Sequence, residues 1–176
     1  IPVTLQLTLY TMVFAMVVSV PLGIAAAVYQ DKWLDYLIRI VAVFGLAVPQ
    51  FWVAYILLIG MAFIFTWSPP ILYSNVWENP IDHFFMMMWP VLILAWVYGA
   101  YLIRITRATM LEVLRQDYIR TARSKGLAEG PVLWRHGLRN ALIPVLTLAG
   151  LYVGTLVGGT VILESVFGLP GVGQAI

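Results

Sequence analysis

Four stretches of the chain, residues 5–29, 40–67, 84–103 and 141–163, run without a single Asp, Glu, Lys, Arg or His. Each is long enough to supply the roughly 20 residues an α-helix needs to cross a bilayer's hydrocarbon core. A charge at the centre of such a helix costs about 2.5–3.5 kcal/mol on insertion scales, so its absence from all four points to membrane spans. Between them the pattern changes. Residues 30–39 are short and mixed, residues 68–83 hold Glu78, Asp82 and His83, and residues 104–140 form a long polar interval.

Inside that interval helical periodicity returns. Leu111, Leu114, Tyr118, Ala122 and Lys125 recur at three- to four-residue spacing and predict a helix over 111–125. Lys125 in its last turn and Gly126 at a left-handed C′ position end it. Gly130-Pro131 then reads as a turn with Pro at the first position of a second helix, 131–140. The interval is expected to be two short helices bent at 126–130, not a flexible linker. In the shorter loop, Asp31 is expected to cap a small helix, with Asp35 and Arg39 paired at i,i+4. Pro21, Pro49, Pro90 and Pro144 fall in or at the ends of spans, where neighbouring helices can re-satisfy the freed backbone groups. Gly150, Gly154 and Gly158, with Gly159 beside them, either form a stripe for close helix packing or mark a kink-prone helix within its own bundle. Trp67, Trp77 and Trp89 suit an interfacial aromatic belt.

Charge placement orients the spans. Alternation puts 30–39 and 104–140 on one face, which then holds every basic residue: Lys32, Arg39, Arg104, Arg107, Arg115, Arg120, Arg123, Lys125, Arg135 and Arg139. The opposite loops hold Glu78, Asp82 and Glu164. The positive-inside rule makes the basic face cytoplasmic and residue 1 external. The opening IPVTLQLTLYT lacks a starting Met and a basic leader, so the chain reads as a piece of a longer protein with an odd number of spans ahead of it.

Composition agrees with this class. Hydrophobic residues make up 62% and charged residues 10%, against roughly 25% charged in soluble domains. Mean hydropathy is +0.93. The absence of cysteine excludes disulfides, thiolate metal sites and cysteine nucleophiles. His83 and His136 lie on opposite faces, and no paired carboxylates, HExxH or GxSxG motif occurs. His83 with Met86, Met87 and Met88 reads either as a soft-metal site or as apolar filler beside an interfacial His. Polar residues within spans (Gln6, Thr8, Thr11, Gln50, Thr147, Tyr152, Thr155, Thr160) either line a path or bond a neighbouring helix.

The basic loop has two physical readings. Thr121, Ala122, Ser124 and Gly126 are small enough for the helix end to enter a groove, with Arg120, Arg123 and Lys125 meeting acidic groups of a partner. The same cations would equally hold anionic lipid, at about 1 kcal/mol per basic residue near the surface.

The segment DYIRTARSKGL, followed by VLWRHGLRNALIPVL, resembles the cytoplasmic signature loop of bacterial ABC importer permeases, nearest to the dipeptide, oligopeptide and nickel group. The family pattern is Glu-Ala-Ala, three residues, Gly, and an Ile-x-Leu-Pro-like ending. Arg120-Thr121-Ala122 stands at the first positions, Gly126 at the glycine and Leu142-Ile143-Pro144 at the ending. Arg for Glu and Thr for Ala depart from the general pattern but look like the peptide-permease version. GGTVILESVFGLPGVGQAI and PQFWV at 49–53 extend the resemblance over nearly the whole chain, and Glu164–Gly173 looks like that group's Glu-x-Val-Phe-x-x-Pro-Gly-x-Gly segment.

The resemblance implies an all-α polytopic transmembrane bundle of the type I importer permease fold, with about four to five spans in 1–176 and a coupling loop at 104–140. It implies that Arg120, Thr121, Ala122, Arg123, Lys125, Gly126 and Leu127 meet an ATPase, with Gly130, Pro131 and Pro144 shaping the loop. Gln50, Thr155 and Glu164 are candidates for the pore or gate. No GxxxxGK[ST] loop occurs, so ATP and Mg belong to partner subunits and this chain holds no catalytic residue, metal or cofactor of its own. The implied partners are two ABC ATPase subunits, a second homologous permease, an external substrate-binding protein and the lipid bilayer, with no nucleic acid. The implied setting is the bacterial inner membrane. The implied cargo is a dipeptide or oligopeptide, with nickel or another small solute as the alternative in the same group. A passive channel or secondary transporter whose loop binds lipid is the rival from another class.

Overall fold

Apolar chain in a bilayer must satisfy its own backbone N–H and C=O groups, which leaves helices as the solution for these stretches. The computed structural model describes residues 2–66 and 73–174, and among them the regular structure is helical. The order is α1 (Pro2–Val28), α2 (Trp33–Ala47), α3 (Gln50–Phe65), α4 (Pro80–Leu114), α5 (Asp117–Ser124) and α6 (Glu129–Pro131). A π-helical segment (Val132–Leu138), α7 (Arg139–Phe167) and a short 3₁₀ turn (Val172–Gln174) follow.

Three long helices, Pro2–Val28, Pro80–Leu114 and Glu129–Phe167, are long and apolar enough to cross a membrane. The second apolar stretch, 40–67, differs from a simple span: α2 and α3 meet at 99°. Proline explains the break. Pro49 has no N–H to give and forces Val48 out of helical geometry, to φ −96 and ψ 127. Trp67, at the end of that stretch, lies outside the described residues, whereas Trp77 stands exposed.

The central helix is α4. Asn79 caps it by accepting from the Asp82 N–H at 3.2 Å, and Pro80 follows at the first turn. α1 lies along α4, and α2 and α7 close on it from other sides. Leu7, Leu94, Leu102, Val145, Leu156 and Leu163 fill the shared core. Close approach of α1 and α4 depends on two glycines. A Cβ on Gly99 would sit 2.5 Å from Ser19 Oγ, and one on Gly23 would sit 2.6 Å from Thr106 Cβ. By contrast, nothing lies within 4 Å of a Cβ built on Gly150, Gly154 or Gly158. That stripe packs against no part of this chain among the described residues.

The short loop at 30–39 departs from expectation. Asp31 is no cap: it has φ 60, and Lys32 occupies the N-cap of α2 with no side-chain bond. Asp35 is buried, and its partner is Arg107 of α4, not Arg39. Arg107 Nε and Nη2 donate to its two oxygens at 2.8 and 2.7 Å, and the Asp31 N–H adds a third bond at 3.1 Å. α4 brings a planar guanidinium fork squarely onto the carboxylate. Arg39 instead lies over the Tyr36 ring, 5.7 Å from its centroid.

Candidate functional site

The basic interval is built from the ends of two long helices. α4 runs on to Leu114, beyond its charge-free stretch, then stops at Arg115, whose N–H bonds Glu112 O. Gln116 is extended, at φ −70 and ψ 150, and α5 begins at Asp117. The helix expected over 111–125 is therefore two helices with a break at 115–116. An acidic residue in the first turn of α5 and Arg123 in its last turn both suit the helix dipole.

α5 is amphipathic on a small scale. Ile119 and Ala122, three residues apart, are buried against Val132 of the π-helical segment. Arg120, Thr121, Arg123, Ser124, Lys125, Gly126 and Leu127 are exposed, so these residues form one surface. Ala122 belongs to the loop's own small core instead of that surface.

The end of α5 is closed by paired backbone bonds. Gly126 has φ +79, its N–H bonds Arg123 O at 2.9 Å, and the Leu127 N–H bonds Ala122 O at 3.3 Å. This is the Schellman pattern, in which a left-handed C′ residue lets two N–H groups satisfy the last carbonyls. Arg123 then reaches across the turn to Glu129 with Nε and Nη2 at 2.9 and 3.1 Å. Arg120 makes only an exposed contact to Asp117 at 3.4 Å, of a kind worth little in water. Its guanidinium and the Lys125 ammonium remain available to a partner.

Beyond the turn the chain does not form a separate second helix. Residues Glu129–Phe167 are one continuous helix, begun two residues before Pro131 and passing through seven residues of π-helix. Gly130 lies in its first turn with open space around it, and Pro131 sits where a helical N–H has no partner to lose. Pro144 lies inside α7. Gly137 lets the π-helical segment approach α4: a Cβ there would be 3.0 Å from Met110 Cε. Three further contacts tie the loop down. Asn140 donates to the Tyr118 hydroxyl at 2.8 Å, Thr109 Oγ1 of α4, which also bonds Ile105 O at 3.0 Å, lies 3.2 Å from Ala141 O, and Ile119 with Ala122 grips Val132. α5 is thus tied to α7 through bonded and packed neighbours.

The candidates in the membrane lie elsewhere. Gln50 Nε2 donates to Gly159 O at 3.1 Å, joining α3 to α7. Thr155 donates to Tyr152 O within its own helix, as Thr8, Thr147 and Thr160 do to carbonyls three or four residues back. Gln6 accepts from the Tyr73 hydroxyl at 3.2 Å. Glu164 is buried and not a solvated helix end. Its Oε2 accepts from the Gly173 N–H at 2.9 Å, and its Oε1 is buried without a hydrogen-bond partner. The turn after α7 thus folds back over the carboxylate, and the Val172 N–H bonds Thr4 Oγ1 of α1 at 3.0 Å. Gly171 is required there, because a Cβ would land on the Glu164 carboxylate. His83 is buried between Tyr10 and Tyr73, with Nδ1 2.9 Å from Ser74 O. Met86 and Met87 belong to the hydrophobic core, and no cluster of three potential metal-binding His or acidic residues occurs among the described residues.

Sequence reasoning missed the Asp35–Arg107 pair and the tight α1–α4 glycines. The first had a signal, a carboxylate and a guanidinium on the same predicted face; the second needed the helix pairing to be known.

Comparison with known proteins places these features. The profile of binding-protein-dependent transport system inner membrane components matches residues 19–176. A putative peptide transport system permease protein of Brucella suis biovar 1 is 40% identical over 176 residues, covering 100% of this chain and 56% of its own length. The oligopeptide transport system permease protein of Bacillus subtilis is 40% identical over 176 residues, covering 99% and 56%. The glutathione transport system permease protein of Escherichia coli K12 is 39% identical over 173 residues, covering 98% and 54%. The chain spans a little over half the length of these relatives.

Proposed function

Because the chain belongs to the inner membrane components of binding-protein-dependent transport systems, we propose that it forms part of an ATP-driven importer's permease, carrying small peptides inward. In this reading its α5 turn docks on an ATPase subunit. Peptide cargo rests on the names of the relatives, which include peptide, oligopeptide and dipeptide permeases. The remaining partners would be a second ATPase subunit, a homologous permease and an external substrate-binding protein.

The observation that carries the reading is the exposed set Arg120, Thr121 and residues 123–127 standing on a closed turn that is bonded to α7. A docking element that transmits motion needs a rigid connection, and a lipid-binding tether does not. ATP-driven closure of the ATPase subunits would push on α5, and the Tyr118–Asn140 bond with the Val132 contact would pass the displacement into the continuous helix behind it. The single α7 then tilts or shifts against α4, which is the kind of packed interface that changes by discrete steps.

The test uses the complete transporter. Arg120→Glu reverses charge at the surface, and Gly126→Val forbids the left-handed turn. Each should abolish peptide uptake and lower the recovery of ATPase subunits with the permease, while membrane insertion stays normal. Normal uptake by Gly126→Val at normal expression would sink the docking assignment, and uptake driven by an ion gradient without ATP would sink the importer reading.

A further inference from the structure

At the cytoplasmic end of the bundle, α2, α4 and α7 enclose a groove of about 580 Å3 lined by Arg39, Arg104 and Arg107 together with Tyr101 and Tyr152. The docking surface does not use it. Arg107 is neutralised by Asp35. Arg39 and Arg104 make no ion pair among the described residues. The groove therefore presents two exposed guanidinium groups that hold no carboxylate in an ion pair among the described residues, a fit for an anion.

The wall beside the arginines combines the Tyr101 and Tyr152 rings with aliphatic side chains, among them Ala42, Val43, Ile105 and Leu148. Tyr101 and Tyr152 have ring centroids 5.2 Å apart, and Tyr98 follows 5.9 Å from Tyr152. Thr155 stands beside the Tyr98 phenol. A Cβ on Gly159 would lie 2.8 Å from the Tyr98 hydroxyl, so the glycine makes room for it. Gln50, at the α2–α3 bend, bonds the same glycine's carbonyl. A strip of hydroxyl and amide groups thus runs from the groove along α7 to the bend.

We propose that this groove is a subsite for the C-terminal carboxylate of a peptide, gripped by Arg39 and Arg104, with the peptide backbone lying along the Tyr101–Tyr152–Tyr98 strip. The inference rests on the peptide-carrying reading given above. Guanidinium forks match a carboxylate bidentately, and phenols and an amide offer the donors and acceptors that a peptide backbone needs. A phospholipid would satisfy the arginines with its phosphate but would lay its acyl chains over the hydroxyls and the amide. The extension of polar groups away from the cations therefore favours a peptide.

The test measures retention of trialanine and trialanine amide by the complete, nucleotide-free transporter in nanodiscs of phosphatidylcholine, without and with phosphatidylglycerol. Wild type should hold the free acid about tenfold more tightly than the amide, a ratio equal to about 1.4 kcal/mol. Arg39→Gln with Arg104→Gln should bind both at the amide's level, and Arg104→Lys, which keeps the charge and loses the fork, should discriminate in between. Equal retention of acid and amide by wild type overturns the subsite, as does discrimination that survives the double substitution. Displacement of the acid by phosphatidylglycerol would assign the groove to a lipid phosphate and overturn it too. Uptake of a mixed di- to pentapeptide library by wild type separates the two levels. Uptake without carboxylate discrimination removes the subsite alone, whereas no uptake removes the peptide-carrying reading and the subsite with it.

Discussion

Asp35 shows how much one side chain can depend on a distant helix. It is fully buried, while Arg107 keeps 20% of its side-chain surface exposed. Removing one member of a buried pair leaves an uncompensated charge and costs about 3–5 kcal/mol when both partners are enclosed. Partial exposure of Arg107 lowers that figure, so Asp35→Asn is expected to destabilise by about 2 kcal/mol. Thermal unfolding of the purified protein would show it, and adding Arg107→Gln should recover part of the loss. Glycines give a second contrast. Gly99→Leu must displace Ser19 and is expected to cost about 1–3 kcal/mol or more by overpacking. Gly150→Leu, with open space around its Cβ, should leave the melting temperature nearly unchanged. Equal effects at both positions would contradict the helix pairing described here.

At the scale of elements, the α5 turn was legible as a stop because Lys125 and Gly126 are strong local signals, and Gly126 does adopt positive φ. Putting a β-branched residue there is expected to cost at least about 1–2 kcal/mol locally. Amide hydrogen exchange at residues 122–128 should therefore accelerate in Gly126→Val. Arg123→Gln removes the bond to Glu129, but both side chains are exposed, so the same amides should change by less than about 1 kcal/mol. The breaks at 115–116 and 48–49 had unequal signals. Pro49 is a signal for the second break, yet a proline is tolerated in a span, so 40–67 reads as one span and the 99° bend goes unexpected. Nothing in the periodicity of 111–125 announced the stop at Arg115, because the side chains on both sides of it fit one helical face. The continuity of Glu129–Phe167 was hidden for the opposite reason: Gly130-Pro131 looks like a turn, yet both residues fit the first turn of a helix, where the N–H groups are free.

For the whole molecule, the placement of charge predicts a fixed orientation, and the chain's lack of cysteine makes it easy to check. Lys32→Cys and Trp77→Cys, both at exposed positions, should react with a membrane-impermeant maleimide from opposite sides of the membrane. Labelling of both from the same side would overturn the topology and, with it, the cytoplasmic placement of α5. The outer end is also held as a unit. Glu164, Gly173, Val172 and Thr4 link the turn after α7 to α1, so Gly171→Ala should loosen that turn and raise its susceptibility to external protease.

Sequence alone determined the class, the apolar stretches and the stop at the end of α5, and it supplied the expectations for orientation and docking. Those features follow from transfer energies and local backbone preferences, which act residue by residue and leave periodic or compositional marks. Tertiary structure decided which helices touch, and so which charges pair, which glycines matter and where the polar strip runs. Asp35 meets Arg107 rather than Arg39, Gly99 is crowded while Gly150 is not, and Arg39 and Arg104 face one groove. Each of these depends on two or three segments far apart in the chain arriving at one place, and no single segment carries that information.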